Sequence, residues 1–483
     1  MQFNSYIFIL LFLPLAVIGY FLLARLHYKA AQIFLLSMSL WFYGYFNVGY
    51  LAIMCSSILF NFLFSKYLGR ERAFGKKLVL AAAVLFNLGL IFYFKYYDFF
   101  IGSINTAFHT DFVLKHILLP LGISFFTFQQ LSYVVDSYSG QTRGYGFVEY
   151  ALFVSFFPQL VAGPIVLHNE LVPQFRDSGK RRMNADNLVR GISLFILGLA
   201  KKVLIADTFG KAVSWGYANV DAATSLDLVI ATFAYTFQIY FDFSGYSDMA
   251  TGIASMFNFT LPMNFNSPYK ALDINDFWRR WHMTLTRFLR TYIYFPLGGS
   301  RKGEGRTYFN IMVVFLASGI WHGANWTFIL WGLLHGAACV ADRIIHKAYE
   351  KIPAVFRWLV TFLLVDLLWI LFRADSIEQC GQIIGKIFSF TGRGISEGMY
   401  EAVALPEVTW LLSLNTPARL SAGKPWLFIA VLFLIGLAIC LCFRNNYERK
   451  TSASVFSMAG IALLFVWCLI SLGSVSVFLY FNF

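Results

Sequence analysis

The sequence predicts an all-α polytopic membrane protein with about ten to twelve transmembrane or re-entrant helices, counted at ~20 residues per crossing. Three observations predict it. Hydrophobic residues make up 58% of the 483 and aromatics 19%. Charged residues are 13%, against roughly 25% in a soluble domain, too few to cover a globule of this size with polar surface. Uncharged runs recur along the chain, and the mean hydropathy is +0.63. These values exclude a soluble enzyme, a coiled coil and a disordered chain.

The first uncharged run, Tyr6 to Ala24, has 19 residues and is followed by Arg25, His27 and Lys29. A cleavable signal would carry its basic residues before the run. The order here predicts a retained helix with its N-terminus outside and its basic end in the cytoplasm. Ala31 to Ser65 is too long for one span and breaks at Gly44, Asn47 and Gly49, which predicts two helices. The basic loop from Lys66 to Lys77 then returns to the cytoplasm, and Leu78 to Phe94 crosses outward.

Ile117 to Val135 and Tyr150 to Leu167 come next, followed by the basic cluster Arg176, Lys180, Arg181 and Arg182. Placing that cluster in the cytoplasm requires an odd number of crossings after Phe94. One of the two segments is therefore expected to be re-entrant or broken, at Pro120, Gly122, Pro158, Gly163 or Pro164. Irregular backbone at membrane depth survives only inside protein or beside a cavity. Leu188 to Ala206 reads as a helix and Leu228 to Phe241 as a short apolar one. Thr307 to Ala341 is uncharged, and Trp358 to Phe372 carries Asp366. Residues 373–425 read as an external polar loop, Trp426 to Phe443 as a helix, and Thr451 to Phe483 as a hairpin or one long helix. The whole of 1–483 reads as one integral membrane domain, with N-terminal helices over 1–110, a core over 115–345 and C-terminal helices over 346–483.

The net charge of +13 comes from Lys and Arg grouped between apolar runs. That pattern orients a membrane protein and gives no nucleic-acid footprint. No C-x-x-C pair occurs, and Cys55, Cys339, Cys440, Cys442 and Cys468 lie in apolar runs. Neither a disulfide framework nor a metal site is expected.

Three segments place costly polar groups in apolar surroundings, at roughly 3 kcal/mol for an ionisable group at the bilayer centre. In Phe241-Asp242-Phe-Ser-Gly-Tyr-Ser-Asp248, two acids interrupt an apolar helix. Asp242 and Asp248 read either as a cavity wall or proton relay, or as a helix break with a capping Asp. Asn275 to Arg290, taken as a helix, sets Trp278, Trp281 and His282 on one side, with Asp276, Arg279 and Arg280 beside them. The same stretch also reads as an amphipathic interfacial helix. In Gly319-Ile-Trp-His322-Gly323-Ala-Asn325-Trp326, flanking glycines let another group approach His322 closely. From Thr307 to Ile320 a helix rises only about 21 Å, which leaves His322 inside a core about 30 Å thick. His335 reads as a residue bonding across to a neighbouring helix.

His282 and His322 suit acyl transfer, because a neutral imidazole can take a proton from a hydroxyl near pH 7 and return it to a leaving group. They stand 40 residues apart, and no His-Glu-x-x-His, Gly-x-Ser-x-Gly or Walker-type loop occurs. Gly298-Gly299-Ser300-Arg301-Lys302-Gly303 reads as a flexible basic loop or as a phosphate site, with Ser300 and Arg301 as its polar groups.

Asp276-Phe-Trp-Arg-Arg-Trp-His282, Tyr294-Phe-Pro-Leu-Gly-Gly-Ser-Arg301 and Trp321-His-Gly323, in that order, closely resemble the membrane-bound O-acyltransferases. Pro120-Leu-Gly-Ile-Ser-Phe-Phe-Thr-Phe-Gln129, Phe157-Pro-Gln-Leu-Val-Ala-Gly-Pro164 and Gly198-Leu-Ala-Lys-Lys202 are similar to the bacterial alginate and peptidoglycan O-acetylating branch. The resemblance covers roughly residues 115 to 345, which would be the catalytic core. It implies a ring of helices around a tunnel, with His322 as the essential histidine and His282 near the tunnel. Trp278, Arg279, Arg280, Trp281, Asp276, Asn325, Asp242, Asp248, Ser300 and Arg301 are the candidate tunnel or donor-binding residues. It further implies acetyl-CoA as a cytoplasmic acyl donor, with no bound cofactor. The acceptor is expected to be a separate extracytoplasmic partner resembling SGNH hydrolases, which passes acetyl to a polysaccharide. The expected location is a bacterial cytoplasmic membrane. Two alternatives stand beside this reading: a teichoic acid D-alanyl transferase drawing on a carrier protein, and a proton-coupled transporter using Asp242, Asp248 and the histidines.

Overall fold

A computed structural model describes residues 1–70, 74–142, 144–392, 394–404, 425–448, 454–473 and 476–479. Among the described residues the regular structure is helical. The order is α1 (Leu13–Leu26), α2 (Tyr28–Gly44), α3 (Val48–Leu68), α4 (Lys76–Ile91), α5 (Tyr97–Phe108), α6 (Ile123–Tyr138), α7 (Phe147–Ser155), α8 (His168–Arg176), α9 (Ala185–Ala200) and α10 (Asp207–Ala218). Then follow α11 (Ser225–Met256), α12 (Ile274–Arg280), α13 (Met283–Leu289), α14 (Glu304–His322), α15 (Trp326–Tyr349), α16 (Ala354–Arg373), α17 (Ile377–Phe388), α18 (Glu397–Val403), α19 (Pro425–Cys442) and α20 (Val455–Ser471).

Among the described residues, five stretches are long and apolar enough to cross a membrane: Phe8–Leu26, Val48–Leu68, Lys76–Phe108, Trp326–Tyr349 and Ala354–Arg373. They make this a multi-pass membrane protein. The break expected between Ala31 and Ser65 falls at Asn47, whose side chain caps α3 by accepting from the backbone N–H of Gly49 and Tyr50. The third stretch runs past the expected end at Phe94, because a π-helical turn over Phe92–Tyr96 joins α4 to α5.

The described chain divides into two compact units. The first comprises Met1–Leu199, Tyr246–Met263 and Thr451–Phe483. Its helices α3, α4 and α6 are tied by buried amides. Asn61 Nδ2 donates to Gln130 Oε1 at 2.6 Å, and Asn87 Nδ2 donates to Asn61 Oδ1 at 2.6 Å. Such pairs hold helices together where apolar burial drives nothing. Both candidate segments within 117–167 are interrupted: the first is irregular through Pro120 and Gly122 until α6 starts at Ile123, and the second breaks after α7. α7 stops at Ser155, and turns buried in protein run from Phe156 to Ile165. Their backbone groups find partners there: Phe157 N–H donates to Ser39 Oγ at 3.3 Å, and Gln159 Nε2 donates to Phe153 O at 2.8 Å. Asp248 lies in this unit and is 2% exposed.

The second unit comprises Ala200–Gly245 and Asn264–Lys450. Its centre is the hairpin of α14 and α15, with α16 and α12 packed against α15. The two hairpin helices touch backbone to backbone. A Cβ added at Gly319 would lie 2.3 Å from the Phe328 carbonyl oxygen, and one at Gly332 would lie 2.4 Å from that of Phe315. Only glycine fits either position.

Three expectations need correction. Leu228 to Phe241 is not a short helix, because α11 runs 32 residues through the acidic segment. Asp242 therefore neither breaks nor caps a helix. Its charge is met by Lys202, whose Nζ lies 2.7 Å from Asp242 Oδ1 and 2.8 Å from Asp207 Oδ1. Pairing makes such a carboxylate tolerable mid-helix. Residues 373–425 are not a bare loop. They contain α17 and α18, each capped by a serine, Ser376 and Ser396, while 405–424 lie outside the described residues. Asn275 to Arg290 is not one helix, as the site shows. At the C-terminus α20 is a single helix over Val455–Ser471, and 451–453, 474–475 and 480–483 lie outside the described residues.

Candidate active site

α14 ends on His322. The 18 steps from Glu304 give a rise of about 27 Å. The glycines beside it admit a neighbouring helix, not an open space: α15 meets Gly319 through its backbone and Gly323 through the Phe328 ring. The His322 ring is walled by Trp321 at 4.9 Å between centroids, Phe372 at 5.1 Å and Trp331 at 5.2 Å. Residue exposure is 2%, and both ring nitrogens are buried.

His282 arrives from a broken stretch. α12 ends at Arg280, α13 begins at Met283, and His282 between them adopts the left-handed conformation with φ +45°. A non-glycine residue held there stores of order 1–3 kcal/mol and is over-represented at functional sites. The break turns His282 into the fold. Its exposure is 0%, and Phe243 stands edge-on at 4.8 Å. The two imidazoles that the sequence separates by 40 positions are 6.4 Å apart between ring centroids, tilted by 58°. Trp321 contacts both.

His335 is the third buried histidine of this unit. Its Nδ1 accepts from Trp278 Nε1 at 3.2 Å, because an indole N–H can only donate. This is the cross-helix bond expected for it. Trp278 thus supports a histidine, and Trp281 stacks among Phe277 at 5.6 Å, Trp369 at 5.1 Å and Phe265 at 5.0 Å.

The remaining candidates have other roles. Arg280 Nε pairs with Asp276 Oδ2 at 2.9 Å and Arg279 Nε lies 3.7 Å from Asp276 Oδ1, with the Arg279 side chain 69% exposed. Asn325 caps α15 by accepting from Thr327 N–H, and its Nδ2 donates to the Asp375 carbonyl at 2.8 Å. Ser300 and Arg301 are exposed on the turn after Gly298 and Gly299, both at positive φ. Among the described residues, one group of His, Cys, Asp and Glu brings its ligand atoms within 4.8 Å, namely Asp273, Asp342 and His346. It includes neither site histidine.

Two residues escaped sequence reasoning. Lys202 was visible only as part of a motif, with no sign that it neutralises Asp242. Asn264 carries no motif at all, yet its Oδ1 lies 3.1 Å from His282 Nδ1.

The site is thus a buried imidazole pair in an all-helical membrane fold, and comparison with known proteins supplies the class. The model of MBOAT, the membrane-bound O-acyltransferase family, matches residues 106–372. The chain belongs to that family and is an acyltransferase. It is 39% identical to the peptidoglycan O-acetyltransferase of Helicobacter pylori, over 100% of this chain and 97% of that protein. It is 39% identical to the probable alginate O-acetylase AlgI of Pseudomonas aeruginosa, over 82% of this chain and 76% of that protein. A more distant match, at 26% identity over 64% of this chain and 78% of the relative, is the teichoic acid D-alanyltransferase of Bacillus subtilis.

Proposed function

We propose that the protein moves acetyl from cytoplasmic acetyl-CoA across a bacterial cytoplasmic membrane for O-acetylation of a cell-wall or exported polysaccharide. Supporting this reading is the pairing of His282 and His322, 6.4 Å apart in a buried aromatic site. His322 acts as general base. It takes the proton of an acceptor hydroxyl as that oxygen bonds to the thioester carbonyl carbon. The C–S bond then breaks, and the imidazolium returns the proton to the departing thiolate. General-base help of this kind is worth roughly 10² to 10⁴ in rate. His282 polarises the carbonyl or exchanges protons with His322.

The exposed cations around the Gly298–Gly303 turn, Arg301 and Lys302, suit the phosphates of the donor. The acceptor hydroxyl belongs to a separate extracytoplasmic polypeptide of SGNH-hydrolase type, which hands acetyl to the polymer. Full-length similarity to a peptidoglycan O-acetyltransferase favours peptidoglycan over an alginate-like polymer. Similarity to the D-alanyltransferase is weaker in identity and in reach, which favours an acetyl donor over an aminoacyl carrier.

The test is ester-linked acetate on isolated peptidoglycan and on exported polysaccharide from cells carrying the native chain or His322→Ala, with membrane abundance matched. Loss of acetate from one polymer is expected. Native acetate levels on both, with the variant present in the membrane, would overturn the assignment.

A further inference from the structure

The segment Asn264–Asn266 runs beside the break at His282 and grips it from both ends. Asn266 N–H donates to Arg280 O at 2.9 Å, and Met283 N–H donates to Asn264 O at 2.9 Å. The Asn264 side chain then reaches three donors with one oxygen: Thr284 Oγ1 at 2.9 Å, His282 Nδ1 at 3.1 Å and the Thr284 backbone N–H at 3.4 Å. A backbone N–H can only donate, so the atom facing it is the amide oxygen and not the NH₂ group. An amide oxygen can only accept. The His282 nitrogen beside it therefore carries a proton, and in the neutral ring the lone pair is on Nε2.

We propose that Asn264 is a positioning residue that locks His282 as the Nδ1–H tautomer, making His282 a proton acceptor in the transfer step and not a donor to the thioester carbonyl. This rests on the acyl-transfer reading above and narrows it. The neutral ring has no Nε2–H with which to polarise a carbonyl. Its free-electron-pair nitrogen takes a proton, from the acceptor hydroxyl directly or from His322, and gives it back when the thiolate leaves. Asn264 also caps α13, since Met283 and Thr284 are the first two helical positions and His282 makes no side-chain cap. A test must separate the tautomer lock from the cap.

Asn264→Asp keeps the cap and the acceptor but adds a negative charge beside Nδ1–H. Asn264→Leu removes the side-chain acceptor from His282 and Thr284, keeps the backbone bond to Met283, and preserves the branched side-chain skeleton. Initial rates of transfer from labelled acetyl-CoA are measured in membranes holding the full chain, across pH, with His322→Ala in parallel. The lock predicts that Asn264→Asp stays active with the acid limb of its pH–rate profile moved up by about one pH unit, because a carboxylate favours the imidazolium. It predicts that Asn264→Leu loses about 10²-fold or more in kcat, with KM for acetyl-CoA unchanged. If Asn264→Leu does not accumulate in membranes, the Asp profile decides alone. An Asn264→Asp profile superimposed on the native one, or native kcat in Asn264→Leu, overturns the proposal. If His322→Ala is inactive in that same experiment, the tautomer lock fails alone. Native activity in His322→Ala would instead overturn the acyl-transfer reading and take the lock with it.

Discussion

The two stretches that supply the site histidines are built on opposite principles. The α14–α15 hairpin is regular, two long helices in backbone contact at Gly319 and Gly332, with His322 as a helix end. The stretch 264–294 is irregular, two seven-residue helices separated by a left-handed histidine and held by a neighbouring segment. The hairpin sets where the His322 ring sits by packing. The broken stretch sets how its ring is oriented by hydrogen bonds and stored strain. The two therefore predict different failures when altered.

Packing failures are the larger. A methyl at position 319 has nowhere to go, since its nearest neighbour is a carbonyl oxygen of the opposing helix. Gly319→Ala forces the helices apart, at a cost of about 1–3 kcal/mol, and shifts His322 one turn further on. A displacement near 1 Å can cost 10²-fold in rate. We expect a lowered Tm in detergent and acetylation near background. Gly305→Ala, at a helical glycine with no heavy atom within 4 Å, is its control and should match or slightly exceed native stability. Equal behaviour of the two variants would mean that close packing does not place His322.

The contrast also explains what the sequence could reveal. Membrane class, the capped break at Asn47 and the reach of α14 follow from composition, local capping and helix rise, which short windows of sequence contain. His322 stood out because its flanking glycines and the short apolar helix before it are both local features of the sequence. His282 was identifiable as a residue but not as a conformation. The helical spacing of Trp278, Trp281 and His282 described a face that the break at His282 abolishes. The residue that hydrogen-bonds across the break is Asn264, 18 positions away, and no pattern in its neighbourhood announces it. Lys202 and Asp242 are likewise 40 positions apart, so the acid in α11 resembled a helix breaker until its partner was placed.

Strain in the broken stretch gives the intermediate effect, read as a stability difference between two variants of equal inactivity. His282→Gly relieves the positive φ and is expected to recover roughly 1 kcal/mol of stability from released backbone strain, less whatever the lost ring contacts with Phe243 and Trp321 contributed. Activity should fall by about 10² or more, because the proton acceptor is gone. His282→Ala keeps the strain and loses the ring, so it should be the less stable of the two at equal inactivity. Comparing the two Tm values isolates the backbone contribution. If the glycine variant is no more stable than the alanine variant, the left-handed conformation costs nothing and the contrast between the two stretches loses its energetic half.

The smallest effect lies where the two stretches meet. Trp278, from the broken stretch, donates to His335 in the hairpin, and the rings meet edge-on at 5.0 Å. Accepting at Nδ1 leaves the proton of neutral His335 on Nε2, the reverse of the tautomer assigned to His282. A ring in that form has no lone pair left with which to act as a base, which favours a role for His335 in the join between helices. Trp278→Phe removes the N–H while keeping an aromatic ring. It should cost about 1–2 kcal/mol, seen as a Tm lower by a few degrees, with the acetylation rate reduced by less than about tenfold. A loss of 100-fold with Tm unchanged would place His335 in the chemistry. The division between a stretch that orients a base and a hairpin that positions one would then have to be redrawn around three histidines.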